Sequence, residues 1–280
     1  MKVLVTGGTG FLGTHVRNHF NSDDLSRKSG FDILEPSNLP DIEEYDLIIH
    51  LAASLDKRPE NADQVFRTNV EGTVNILKRV KENAAFIFAS TKDVYGRFAD
   101  HSMEVPETCP TIYSGQSALE WSKLIAEKYV DYYSHIRNFR SCIFRLSTIY
   151  APITEGNTPS FVTAYADAIN KGEKIRLPAK GSPRRDIMHV DDLSKACTAF
   201  AESVIRHGLY NIGGGRSNTL SLLEVVRKLE TVSGLQAVID ETSSLPPPVP
   251  MNYVSDLSLA NQELDWEPAI SLDDGLRSLF

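Results

Sequence analysis

The sequence predicts an α/β protein: a doubly wound parallel sheet with helices on both faces and a smaller carboxyl-terminal substrate lobe. Three observations lead there. A short apolar strand runs into a glycine cluster and then a helix, at the very start of the sequence. Buried strands then alternate with long helices up to about residue 150. Beyond Tyr150 the alternation weakens, and Pro152, Pro159, Pro178 and Pro183 punctuate the chain. Strands that alternate with helices require crossover connections, which give a parallel sheet covered on both sides.

Taken in order, Lys2-Val3-Leu4-Val5-Thr6 reads as the first strand and Phe11 to Phe20 as the first helix. A short second strand is expected near Asp24–Lys28. Asp46–Leu51 is a continuous apolar run and reads as a buried strand. A helix over Asp63–Glu82 follows from Val65, Val70, Val74, Ile76, Leu77 and Val80 at near-helical spacing. Ala85–Ala89 is a strand, Ser117–Tyr133 a helix and Cys142–Leu146 a strand. Helices are expected at Phe161–Asn170, Asp192–Ser203 and Leu220–Ser233, with a short strand at Leu209–Ile212 returning to the sheet. Leu245–Pro250 carries four prolines and should be an extended loop. The domain division expected is 1–150 plus about 186–212 for the dinucleotide, and 151–185 plus 213–280 for the substrate.

Composition narrows the function. Of 280 residues, 29 are Lys or Arg and 37 are Asp or Glu, so the formal charge is −8. Such a chain repels nucleic acid and anionic lipid unless it carries a local basic patch, and none stands out. Cys109, Cys142 and Cys197 are an odd, widely spaced set, which fits a reducing compartment better than a disulfide framework. No apolar run reaches the ~18 residues of a membrane span. The expectation is a cytoplasmic protein.

The glycine turn is the first functional signal. Gly7, Gly10 and Gly13 sit in Thr6-Gly7-Gly8-Thr9-Gly10-Phe11-Leu12-Gly13, between the first strand and the first helix. Glycines there permit positive φ and close backbone approach, and a helix amino terminus offers free N–H groups to a pyrophosphate. Gly7, Thr9, Gly10, Phe11, Leu12 and Gly13 are therefore candidate coenzyme residues.

With these residues the chain resembles the extended short-chain dehydrogenase/reductase family, the NAD-dependent nucleotide-sugar epimerases and dehydratases. Further blocks match in the family's order: His50-Leu51-Ala52-Ala53, Asn69-Val70-Glu71-Gly72-Thr73, Ser90-Thr91 before Val94-Tyr95-Gly96, Ser122-Lys123-Leu124 with Glu127, Arg145-Leu146 with Tyr150-Ala151-Pro152, Arg185-Asp186-Ile187-Met188-His189-Val190-Asp191-Asp192, Tyr210-Asn211-Ile212-Gly213, and Leu264-Asp265-Trp266-Glu267-Pro268. They span essentially the whole chain. The resemblance implies a Rossmann sheet, a nicotinamide dinucleotide and a nucleotide-sugar substrate. It places Asp32 and Ile33 by the adenine, and Leu51, Ala52, Ala53 and Asn69 along the coenzyme cleft.

Which dinucleotide is meant turns on the end of the second strand, where an acid marks NAD and basic residues suit the 2′-phosphate of NADP. Ser26 stands at that position, followed by Arg27 and Lys28. This favours NADP over NAD, although the two cations also suit a solvated turn.

The resemblance also carries a catalytic set. Family members pair a tyrosine with a lysine four residues later: the cation lowers the phenol's pKa and binds the nicotinamide ribose, and a Ser or Thr bonds the same substrate oxygen. Thr91 matches the hydroxyl and Lys123 the lysine, which leaves Leu119 at the tyrosine position. Leucine cannot carry a proton. Tyr113 is the nearest upstream phenol, although ten helical steps would leave it about 80° from the Lys123 face. In the family's sugar 4,6-dehydratases the two residues after the threonine are acidic; here they are Lys92 and Asp93. Asp93 suits a base and Lys92 an acid if burial lowers its pKa, and the pair equally suits a salt-bridged turn.

Arg185 matches an arginine that grips the substrate diphosphate through a two-pronged guanidinium. Phe161 and Val162 are expected, on resemblance, beside the sugar or base. Asp186 and Asp192 are read as loop and cap residues. His15 and His19 are four apart but lack a third ligand, so no metal is expected. His50 is read as a buried residue bonded to backbone. The helices at 63–82 and 117–133 correspond to those that pair two subunits in relatives, which points to a homodimer.

Two function classes follow. One is an NAD(P)-dependent nucleotide-sugar epimerase, dehydratase or reductase with Asp93, Lys92, Tyr113 or a water replacing the phenol. The other is a dinucleotide-binding sensor or regulatory protein that lost turnover with the tyrosine.

Overall fold

The computed structural model describes residues 1–154, 156–240 and 248–280. β1 (Val3–Thr6) is buried throughout and ends at Gly7, whose φ of +71° turns the chain sharply into α1 (Phe11–Phe20). Asn21 closes α1 in the left-handed region, and β2 (Asp23–Leu25) follows. Ser26 then caps a single 3-10 turn over Arg27–Ser29. β3 (Leu47–His50) leads to α2 (Ala62–Phe66), a π turn at Arg67–Glu71 and α3 (Gly72–Leu77). β4 (Ala85–Thr91) runs into a ten-residue 3-10 segment, Lys92–His101, broken at Gly96. α4 (Ala118–Ile136), β5 (Arg140–Leu146) and β6 (Thr148–Tyr150) come next.

The remainder comprises α5 (Phe161–Lys171), β7 (Lys174–Ile175), β8 (Arg184–His189), α6 (Val190–Glu202) and β9 (His207–Ile212). After these come β10 (Thr219–Ser221), α7 (Leu222–Ser233), β11 (Val238–Ile239), β12 (Asn252–Tyr253), α8 (Ser258–Leu264) and α9 (Leu272–Arg277).

Six strands form one parallel sheet in the order β2-β1-β3-β4-β5-β9. Alternation along each strand feeds two cores. Val3, Val5, Leu47, Ile49, Ile87 and Phe144 pack beneath α1, α6 and α8; Leu4, Ile48, Phe86, Phe88 and Ile143 pack beneath α3 and α4. A third core joins α5, α7 and α9 through Val162, Ala166, Leu222, Val226 and Leu276. β8 carries a second small sheet, antiparallel to β10 and parallel to β12 and β6. The direction of winding reverses between β1 and β3, and ligands of such sheets bind at the carboxyl ends of strands flanking that reversal.

The parallel sheet and the first turn match expectation. The helix expected over 63–82 ends at Leu77, and Asn83 takes a left-handed φ of 62° before β4. The second strand stops at Leu25, which leaves Ser26–Lys28 on a turn. β6, β7, β8, β10, β11 and β12 went unforeseen, because most are two or three residues long and show no alternation. Val162 is a fully buried core residue and not a pocket wall. The run Leu245–Pro250 falls partly outside the described residues.

Two glycines calibrate the turn. A Cβ on Gly13 would lie 2.0 Å from the Gly7 carbonyl oxygen, whereas one on Gly234 (φ +73°) would meet nothing within 4 Å. Gly234→Ala should therefore cost about 1 kcal/mol of backbone strain. Gly13→Ala should cost distinctly more, above ~2 kcal/mol, because backbone must move. Urea unfolding of the two variants checks the difference.

Candidate active site

The carboxyl edge of β1 is shaped by contacts no side chain would permit. Gly13 lies against the Gly7 carbonyl, and Gly7 packs on the Ala52 backbone after β3. α1 has no side-chain cap at Gly10 and no acid in its first turn, so its leading N–H groups remain free for an anion. Phe11 and Leu12 pack partly buried onto the sheet. The Thr9 hydroxyl donates to Ser26 Oγ (3.0 Å), which donates to Asp24 Oδ2 (2.7 Å). The other Asp24 oxygen is buried with no hydrogen-bond partner among the described residues. Arg27 and Lys28 are exposed and make no ion pair among the described residues. A glycine cradle, an open helix terminus and an unpartnered buried carboxylate oxygen together fit a dinucleotide.

Asp32 caps Leu34 N (2.9 Å), while the Ile33 side chain is buried against Gly72. Leu51, Ala52 and Ala53 follow β3 half-buried. Asn69, in the π turn, is fully engaged: its Nδ2 donates to Ser54 O (3.0 Å) and Ser122 Oγ (2.8 Å), and its Oδ1 accepts from Ser54 N (2.7 Å). It pins the loop after β3 to α4.

His50 is bonded to two threonines, not to backbone. The Thr73 hydroxyl donates to Asn69 O (2.6 Å), so His50 Nε2 donates to Thr73 Oγ1 (2.9 Å) and Nδ1 accepts from Thr6 Oγ1 (2.7 Å). Burial, with Lys123 nearby, pushes the imidazole down to about 3 and keeps it neutral.

At the end of β4 the Thr91 hydroxyl accepts from Asp93 N (3.2 Å). Lys92 and Asp93 form an ion pair. The Lys92 ammonium is buried, 5.0 Å from the centre of the Tyr253 ring. Burial pulls its pKa down; Asp93 opposes this and Arg185 adds to it. Burial alone would raise the Asp93 carboxyl, but Lys92 and Lys57 outweigh it and hold the group well below the usual range. Lys57 Nζ reaches Asp93 Oδ2 (3.1 Å) and Glu120 Oε1 (2.7 Å).

Leu119 is buried in the first turn of α4, which opens with a reciprocal Ser117–Glu120 cap. One turn on, Lys123 Nζ donates to Ala89 O (2.6 Å) and sits 4.7 Å over the Phe88 ring. Burial brings its pKa to about 8, partly opposed by Glu127. The edge thus brings Thr91, Lys92, Asp93 and Lys123 around the ends of β4 and α4. Tyr113 lies in the loop before α4 with 71% of its surface exposed. Arg185 is buried, and its guanidinium donates to the carbonyls of Arg184 (2.7 Å), Met251 (2.8 Å) and Pro250 (2.8 Å). Phe161 opens α5, its ring tilted 59° against that of Tyr165 with centres 5.5 Å apart. His15 and His19 bond to Pro152 O and Thr198 Oγ1, both at 3.3 Å.

Sequence reasoning missed Lys57, Glu120 and the spare oxygen of Asp24. The Ser117-x-x-Glu120 spacing signals a helix start but not the partner of Glu120, since Lys57 and Glu120 are joined only by the fold.

A family model, the NAD dependent epimerase/dehydratase family, matches residues 3–213, and the chain belongs to that family. CDP-paratose 2-epimerase of Salmonella typhi is 29% identical, with 100% of this chain and 98% of that protein covered. The UDP-glucuronic acid 4-epimerase of Bacillus cereus, solved with UDP-glucuronic acid and NAD, superposes with a TM-score of 0.83 at 24% identity, covering 100% of this chain and 98% of that one. RMD from Pseudomonas aeruginosa, solved with NADPH, gives 0.83 at 20% identity, covering 100% and 97%. These two structural likenesses establish the fold. No helix among the described residues is long and apolar enough to cross a membrane.

The buried histidine gives the site a pH signature. Unfolded His50 binds a proton below about 6.5, while the folded side chain stays neutral down to about 3. Stability should therefore fall as pH drops through that window, by about 3 kcal/mol from this residue at pH 4. His50→Gln should remove that share of the slope, as measured by urea unfolding at pH 7 and pH 4.

Proposed function

We propose that this member of the family is an enzyme that uses a nicotinamide coenzyme to oxidise or reduce a carbon of a nucleotide sugar, in the course of epimerisation, dehydration or reduction. The observation that carries the reading is the convergence of Thr91, Lys92, Asp93 and Lys123 on one strand end, beside a glycine cradle fitted for pyrophosphate. The family match and the length-wide likeness to a CDP-sugar epimerase support it. Residues 1–150 and about 186–212 would hold the coenzyme, and 151–185 with 213–280 the sugar nucleotide.

The coenzyme, when bound, supplies or accepts the hydride. Gly7, Thr9, Gly10, Phe11, Leu12 and Gly13 cradle its pyrophosphate. Asp32, Ile33, Leu51, Ala52, Ala53 and Asn69 form or support the cleft. The unpartnered Asp24 oxygen suits a ribose hydroxyl and counts toward NAD, whereas the exposed Arg27 and Lys28 beyond Ser26, without an ion pair among the described residues, suit a 2′-phosphate; on the strength of these two cations we favour NADP over NAD. Lys123 holds the nicotinamide ribose. Thr91 bonds the reacting sugar oxygen, and the Lys92–Asp93 pair moves the proton that a phenol at position 119 would carry, with Tyr113 or a water as the alternative carrier. Phe161 lies toward the sugar nucleotide. Arg185, its fork anchored on carbonyls, contributes positive charge toward the diphosphate.

A homodimer is supported by apolar surface on the helices that the family pairs: Phe66, Tyr129, Tyr132 and Ile136 are 41–57% exposed. Three buried thiols suit the cytoplasm. A second reading, a coenzyme-binding sensor, rests on Leu119 alone.

Purified protein with NAD or NADP and a panel of nucleotide sugars, followed by mass spectrometry, decides between the two. The enzyme reading expects a product, with kcat/KM reduced at least ~100-fold in Thr91→Ala. Tight coenzyme binding with no product from any sugar supports the sensor. Leu119→Tyr, in a folded, coenzyme-loaded variant, should raise hydride transfer about tenfold or more. An unchanged rate places the reactive centre elsewhere.

A further inference from the structure

Two ammonium groups share one carboxylate at the end of β4. Lys92 pairs with one oxygen of Asp93, and Lys57 stands 3.1 Å from the other. Lys57 also reaches Glu120, 2.7 Å away on the first turn of α4. Glu120 is itself held in place: its side chain is buried and its second oxygen accepts from Ser117 N and Oγ, both at 2.6 Å. Lys57 is carried on the loop that Asn69 pins through Ser54. Its amine therefore bridges the residue after Leu119 and the second residue after Thr91. That is the span between the substrate-binding hydroxyl and the position lacking its phenol.

The surroundings of the two lysines differ. Lys57 is half-exposed and faces two carboxylates, Asp93 and Glu120, which together outweigh burial and hold it protonated. Lys92 is buried and faces Asp93, the Arg185 guanidinium of β8 and the Tyr253 ring of β12, with Lys57 beyond. Arg185 is in turn faced by Asp93, Asp186 and Asp100. Paired groups driven apart in this way divide into a fixed charge and a proton carrier.

We propose that Lys57 is a positioning residue of the acid–base pair: clamped between Asp93 and Glu120, it draws the Asp93 carboxylate out of an exclusive pairing with Lys92 and so frees the Lys92 amine to exchange a proton. Removing Lys57 takes away a like charge and leaves Lys92 as the ion-pair partner of Asp93 among the described residues, and both changes bind the Lys92 proton more tightly. This rests on the reading that Lys92 and Asp93 move the proton in turnover, but its test needs no turnover.

The test is nitrogen-15 NMR of the lysine side chains in the coenzyme-free chain, with the Lys92 signal assigned by its loss in Lys92→Gln. Its titration midpoint should lie below that of the exposed lysines and rise by about one pH unit in Lys57→Met and Lys57→Gln. It should stay in place in Lys57→Arg, which keeps the charge and the bridge. A midpoint equal in wild type and Lys57→Met overturns the proposal. In turnover, the limb of the kcat profile that belongs to Lys92 should move by the same amount while KM is unchanged. A shifted NMR midpoint with no sugar product upholds the hold of Lys57 on the Lys92 proton and overturns the reading of the pair as proton carriers in turnover. A product with an unmoved midpoint removes the Lys57 role alone.

Discussion

The edge that carries the candidate site depends on one buried carboxylate. Glu127 of α4 accepts from Ser90 of β4 (2.5 Å) and from Nε and one terminal nitrogen of Arg145 on β5 (3.0 and 2.7 Å). Arg145 donates onward to the Tyr95 hydroxyl (3.1 Å) and to Glu107 O (3.2 Å), and Tyr95 donates to Asn211 of β9 (2.7 Å). These groups run from Ser90 to Asn211, a stretch that contains α4, α5 and α6, yet they bolt α4 across three neighbouring strands. Losing one partner from such a pair costs about 3–5 kcal/mol, because the other charge is left buried alone. An apolar filling would serve stability as well. Its contribution here is register: Lys123 lies one turn from Glu127 on the same helix face, so fixing Glu127 fixes where the Lys123 amine meets Ala89.

Much of this was readable from residue order, and the unreadable part has a common cause. β1, the glycine turn and α1 announce themselves because strand, turn and helix are contiguous, and each leaves its own periodic or compositional mark. The same holds for β3, β4 and β5, whose apolar runs are long enough to stand out. β10 and β12 do not, since two or three residues cannot show alternation; they exist because β8 offers them an edge. The end of α3 was misplaced for a related reason. Val80 continues the apolar pattern but is buried from a turn that follows the helix, so spacing alone reads on past Leu77.

At the site, the residues carried by motifs were legible and their partners were not. Thr91, Lys92, Asp93 and Lys123 sit where strand and helix ends put them. Arg185 was expected as an open fork, but its donors are turned onto the carbonyls of residues 184, 250 and 251, which stitches β8 to the segment before β12. No sequence rule distinguishes an arginine that meets a ligand from one that closes a loop. Ser26 was read as standing alone in place of an acid, whereas Asp24 lies behind it and reaches the same spot through its hydroxyl.

These partners also join the glycine turn to α4. Thr6, the residue before Gly7, accepts from Ala52 N and donates to His50; His50 donates to Thr73, Thr73 to the Asn69 carbonyl, and the Asn69 amide to Ser122 on α4. Each group in the chain has one arrangement that satisfies its neighbours, so the tautomer of His50 is set by both ends at once. A neutral imidazole is the form compatible with Lys123 nearby, and a second cation there would push the lysine's proton off still more readily. The sheet therefore does more than hold the turn and the lysine at a fixed separation. It runs an oriented, uncharged line of hydrogen bonds beneath both, so the position of the glycine cradle and that of the Lys123 helix are set together.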